Sequence, residues 1–119
     1  MPIDLDAALS APWLAARLAV DPVALDIRRR SGELFAVRPS SSPDWLYPSW
    51  QFDEEWRVRP QVQRVLAEAR DAQMRQAELE QLLQRRVGLA GRRTLLALLV
   101  EGDDAAVVSA IKAERERRP

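Results

Sequence analysis

Cysteine and histidine are both absent from this sequence. Without cysteine there is no disulfide framework, and without either residue a zinc site of the usual kind is excluded. Histidine-based acid–base chemistry and a Ser-His-Asp nucleophile go with them. Only four glycines occur, and none sits in a phosphate-cradling loop. Charge of one sign is also missing: 18 basic residues face 18 acidic ones, so the basic excess common in nucleic-acid binders is not there. Long hydrophobic runs are lacking. The strongest, "LLALLV" at 95–100, is far too short to cross a bilayer. The opening "MPIDLDAALSAPWLAARL" has neither the basic start nor the long apolar stretch of a signal peptide, which predicts a cytoplasmic protein.

What is present fits a small helical protein. The 119 residues, 47% hydrophobic and 30% charged, are enough for one compact domain or two very small ones sharing a core. Ser10 is placed to cap a helix with Pro12 in its first turn, and Trp13, Leu14 and Leu18 follow at helical spacing. Asp21 and Pro22 then mark a second helix start, and Gly32 its left-handed end. Val20, Val23 or Ala24, and Ile27 form the expected buried face of that second helix. Two short helices joined by a tight turn near 19–21 make a helix-turn-helix.

"ELFAVR" after Gly32 reads as a strand, "PSSSPD" as a loop, and "WLYPSWQF" as a second extended segment with Pro48 at an edge. Paired, they would form a wing. "RPQVQRVLAEARDAQMRQAELEQLLQRRV" reads as a long helix from near Pro60 to about Arg86. Its apolar stripe weakens around Asp71–Gln76, which implies a break near 71–74 or a change of packing surface. "GLAG" is a turn, "RRTLLALLVEG" a short apolar helix ending at Gly102, and Asp103 or Asp104 caps a last helix with Val107, Val108 and Ile111 inward. The expected fold is mainly α: a winged helix-turn-helix with a short β-hairpin over residues 1–58, fused to a small helical bundle over 59–119.

Several phrases in order resemble a known family. Tyr47-Pro48-Ser49-Trp50-Gln51-Phe52, then Pro60 and Val65-Leu66, are similar to the opening of the C-terminal domain of Xre/MbcA/ParS-type antitoxins. Leu89-Ala90-Gly91, the run Thr94 to Leu99, Gly102-Asp103 and Val107-Val108 follow in the family's order. Upstream, "LAARLAVDPVALDIRRRSGELFAV" looks like the small helix-turn-helix that often precedes this domain. The likeness extends over most of residues 12–112. The stretch "QMRQAELEQLLQRR" departs from it, being charged and helical where the family carries a tryptophan and an Asn-Pro-type loop. The resemblance implies a sequence-specific DNA-binding protein, a repressor of antitoxin type acting on double-stranded DNA as a dimer. Taken fully, it implies a cognate toxin partner of the RES type, which acts on NAD.

The candidate DNA-contacting residues are Arg28, Arg29 and Arg30 on the second helix, Arg17 on the first, and Arg38, Ser40, Ser41 and Ser42 on the wing. Arginine's planar fork suits guanine edges and phosphates, and serine hydroxyls suit phosphates. The competing reading is a solvated charged face in which Asp26 pairs with Arg30, and an ordinary loop. Six of the seven aromatics fall between Phe35 and Trp56. They could stack single-stranded bases, form a partner hot spot or join the two halves. The adjacent Asp53, Glu54 and Glu55 oppose a nucleic-acid strand, which favours the joint. Leu82, Leu83, Leu95, Leu96, Leu98 and Leu99 are either a buried central layer or a homodimer interface. The sequence points to no catalytic residue, metal, cofactor, small-molecule substrate or membrane partner. Two alternatives stand beside the repressor: a helical adaptor that does not bind DNA, and an architectural DNA-binding accessory factor.

Overall fold

Ser10 closes a three-residue strand, β1 (Ala8–Ser10), and caps the helix after it, α1 (Ala11–Leu18); its hydroxyl accepts from the Trp13 N–H at 3.4 Å. The computed structural model describes residues 8–41, 43–88 and 91–117. Helix α1 ends at Ala19, which takes the left-handed conformation at φ 55° and lets the Val20 N–H donate to the Ala15 carbonyl at 3.0 Å. A side chain costs about 1 kcal/mol there, so the tight turn is held by the helices on either side. Asp21 then starts α2 (Pro22–Arg30) by accepting from the Val23 N–H at 2.8 Å, with Pro22 at the first helical position, where its missing donor is harmless. Past Arg30, Gly32 adopts φ 84° and Glu33 donates back to the Arg28 carbonyl at 2.9 Å, as a glycine-ended helix should.

The chain is mainly α, with six helices among the described residues and short antiparallel pairings. It divides into two compact units at Arg59/Pro60. In the first unit, β2 (Leu46–Pro48) pairs antiparallel with β1, aligning Ala8 with Pro48, Leu9 with Tyr47 and Ser10 with Leu46. The wing therefore differs from the expected hairpin: Leu34–Val37 contributes only a single bridge, Val37 to Leu46. The reason is chemical. Phe35 gives its backbone N–H and C=O to the Gln51 side chain rather than to a neighbouring strand, at 2.8 Å each. Gln51 ends a 3-10 turn (Ser49–Gln51), is completely buried, and also donates to the Pro48 carbonyl at 3.0 Å. The unit ends in a tight reversal bridged by Phe52 and Val58, with Asp53 Oδ1 accepting from the Glu55 and Arg57 N–H groups.

The second unit opens with α3 (Pro60–Asp71), whose buried stripe is Val62, Val65, Leu66 and Ala69. The long stretch read as a helix to about Arg86 breaks at 72–75, the first of the two outcomes that its weakened stripe implied. Gln73 turns left-handed at φ 57°, and α4 (Gln76–Leu83) restarts with Glu78 accepting from the Arg75 N–H at 3.0 Å. A two-rung hairpin follows, β3 (Arg86–Val87) against β4 (Arg93–Thr94), with the Gly91 N–H donating to the Gly88 carbonyl. Leu89 and Ala90 of the expected turn lie outside the described residues. Thr94 caps α5 (Leu95–Val100), accepting from Ala97 N–H at 3.1 Å, and α6 (Asp104–Arg117) packs against α3 and α5. Val107 and Ile111 are fully buried as expected, while Val108 is half-buried. Two ion pairs between residues distant in sequence tie α6 down within this unit: Arg64 to Asp104 at 3.0 Å and Arg85 to Glu114 at 2.8 Å.

Candidate nucleic-acid interface

Helix α2 is turned differently from the sequence expectation. Its one buried residue is Leu25, at 0% exposure. Of the residues read as its inner face, Ile27 is 60% exposed, and of the alternatives Val23 and Ala24 the first is 66% exposed and the second half-buried. Of the residues read at helical spacing in α1, Trp13 is 48% exposed and Leu14 is buried, with Ala15 the other buried residue of the helix.

The rotation of α2 has a visible cause. Arg29 takes an inward position, with only 13% of its side chain exposed. Its guanidinium bonds the Asp26 carboxylate and lies over the Trp45 ring, 4.1 Å from the centroid. Arg38 covers Trp45 as well, at 4.9 Å. Trp45 is thus held by two cations, one from α2 and one from the wing, which fixes the wing's root against the helix. The Arg29 Nε is buried and has no hydrogen-bond partner among the described residues. Tyr47 lies in the same pocket; burial pushes its phenol up, and the nearby Arg29 partly offsets that.

Asp26 is the counter-charge. The hydrogen bond from Arg29 holds its carboxyl below the ordinary value of 3.8, against the desolvation that raises it. A carboxylate held low in the folded state contributes stability that is whole above its unfolded pKa and lost as pH falls through the folded one. Wild type is therefore expected to be more stable than Asp26→Asn near neutrality. The gap between their urea midpoints should narrow as pH falls through the acidic range in which that carboxyl protonates. A gap that stays constant across that range would show that the Asp26 charge is not what holds Arg29.

The candidate contacts fall into two groups. Arg28 pairs with Glu33 at 3.7 Å and Arg29 is engaged as described, so both have duties inside the unit. Arg30 projects outward with 73% of its side chain exposed and pairs with Asp26 Oδ2 at 3.1 Å, the carboxylate oxygen that Arg29 does not take. Arg17 and Arg38 are exposed residues, each resting on an indole: Arg17 over Trp56 at 5.3 Å, Arg38 over Trp45. Ser40 and Ser41 are exposed in the wing turn; Ser42 lies outside the described residues.

The aromatic cluster is built within the first unit. Trp56 sits at φ 62° between Trp13, at 5.3 Å, and Phe52, at 5.6 Å; Phe35 meets Trp50 at 5.4 Å. Tyr47, Trp50 and Phe52 are buried and offer no open stacking surface for bases. Asp53, one of the three acids read as opposing a nucleic-acid strand, is the hydrogen-bond acceptor that shapes the turn presenting Trp56. Spacing could not reveal Gln51 or Trp45, the two residues that organise this unit; only the crowding of aromatics around them hinted at it.

In the second unit, Leu82, Leu83, Leu95 and Leu99 are buried within the chain. Leu96 and Leu98 are half-buried and are the ones of the six that retain surface. Among the described residues there is no group of acids fit to hold a metal ion, and no helix is long and apolar enough to cross a membrane.

No family model and no curated protein matches the sequence. The fold is similar to the NMR structure of Rv2175c, with a TM-score of 0.74 at 20% sequence identity, over 97% of this chain and 84% of that one. At that identity the likeness is one of fold: a mainly α chain with short antiparallel pairing.

Proposed function

We propose that this protein binds double-stranded DNA through α2 and acts as a sequence-specific regulator, a repressor of antitoxin type. The observation that carries the reading is the α1–α2 pair itself. Its three-residue link and two capped starts form a helix-turn-helix, and the outer face of α2 is open. Arg30 on that face, with Arg17 and Arg38 beside it in the same unit, supplies charge for phosphates or guanine. Paired half-sites favour a dimer, for which Leu96 and Leu98 on α5 are the leucines with surface to offer. The ordered phrases shared with the antitoxins support a cognate toxin as a further partner.

A second reading, a helical adaptor that does not touch DNA, is supported by the engagement of Arg28 and Arg29 within the unit. Titration of the purified protein against its own upstream region and an unrelated duplex, at two salt concentrations, separates the two. Tight selective binding that weakens about tenfold in Arg30→Ala is the expected result, the size of one good base or phosphate contact. Equal, weak, salt-sensitive binding to both duplexes would make the protein architectural. No binding to either would leave the adaptor.

A further inference from the structure

The outer face of α2 is apolar where a nucleic-acid-binding helix usually carries donors. Val23, Ile27 and Arg30 lie at i, i+4 and i+7, one stripe of the helix. Val23 and Ile27 are two of the three exposed large hydrophobic residues among those described. The third, Trp13, has its ring packed on Trp56. Among the described residues no such ring contact covers Val23 or Ile27.

Resting on the DNA reading above, we infer that Val23 and Ile27 read thymine through its C5-methyl group in the major groove. Neither side chain can donate or accept a hydrogen bond, so neither can read the polar edge of a base. The thymine methyl is the one apolar feature a base pair presents in that groove. Both residues are β-branched and hold a single preferred χ1 in a helix, so their methyl groups are already positioned. Four residues of helix rise about 6 Å, close to two base-pair steps of about 3.4 Å each. The pair therefore fits T·A pairs two steps apart, with Arg30 one turn further on to fix the register. Of the charges beside the stripe, Asp21 caps the helix start, Asp26 is taken up by Arg29 and Arg30, and Glu33 is paired with Arg28, while 73% of the Arg30 side chain stays exposed.

The test uses the full chain and changes the DNA before the protein. A preferred duplex is selected from a randomised pool, and each thymine in it is replaced singly by deoxyuridine, which removes only the methyl. Wild type is expected to lose about 4-fold in affinity at each of two positions, the worth of one buried methyl-sized group. Val23→Ala should abolish the loss at one such position and Ile27→Ala at another, leaving the rest unchanged. Both residues are exposed, so neither substitution touches the core. Tight selective binding that is indifferent to every uracil replacement overturns this inference and leaves the DNA reading standing. Failure of wild type to select or bind any duplex overturns the DNA reading and this inference with it, and turns the stripe into a protein-docking face.

Discussion

Replacing Gln51 with leucine is expected to cost this small protein about 4 kcal/mol, because three buried backbone groups lose their partners and each orphan costs about 1–3 kcal/mol. The Gln51 amide is an unusual substitute for a strand. Its oxygen accepts from the Phe35 N–H and its nitrogen donates to the Phe35 and Pro48 carbonyls, at 2.8, 2.8 and 3.0 Å. Leucine fills the volume and satisfies none of them. Water is no remedy, since the site is wholly buried. The check is a urea titration followed by tryptophan fluorescence, with Trp50 next in sequence reporting on the site. A shift worth less than about 1 kcal/mol would mean that the Phe35 backbone finds other partners, and that the amide is filler rather than clamp. A conservative change to glutamate should be no better. Its carboxylate accepts the N–H but faces two carbonyls with no donor.

That amide also explains how far the sequence could be read. The starts and stops of the first two helices were legible because they are local chemistry: Ser10, Asp21, Pro22 and Gly32 each act within a few residues of themselves. The partner of Leu46–Pro48 was not legible. A three-residue strand such as Ala8–Ser10 is too short to show alternation, and the apolar run Leu34–Val37 looked like a better partner than it is. Gln51 diverts that run's hydrogen bonds from a distance of 16 residues, which no periodicity reveals. The rotation of α2 was missed for a related reason. In a helix of nine residues, two overlapping stripes are equally regular, and the choice between them fell to Arg29. Pattern analysis scores arginine as surface, yet its stem packs and its charge is met by Asp26 and the face of Trp45. Leucine-rich α5 posed the same ambiguity on a smaller scale. Six apolar residues in under two turns cannot all face inward, and only the packing of α6, α3 and α4 around it selects Leu95 and Leu99.

Leu25→Ala is the second large effect expected, about 3 kcal/mol of lost stability, within the range for a leucine removed from a packed site. Leu25 is the sole buried residue of α2, at 0% exposure, so the helix has no second apolar anchor to take up the slack. What remains is the Arg29 stack on Trp45 and the turn at Ala19, neither of which fills the vacated volume. The variant also separates two ways of damaging DNA binding. Val23→Ala removes an outer contact and should leave the urea midpoint where it is, changing which sequence is preferred. Leu25→Ala leaves the outer face intact and should lower affinity for every duplex alike, because the helix is presented less of the time. Selectivity among duplexes, measured as a ratio of affinities, is then unchanged in Leu25→Ala while the midpoint falls. If instead Leu25→Ala keeps its midpoint within about 1 kcal/mol of wild type, α2 is held chiefly by Arg29, and the cation stack, not the leucine, is the hinge of the unit.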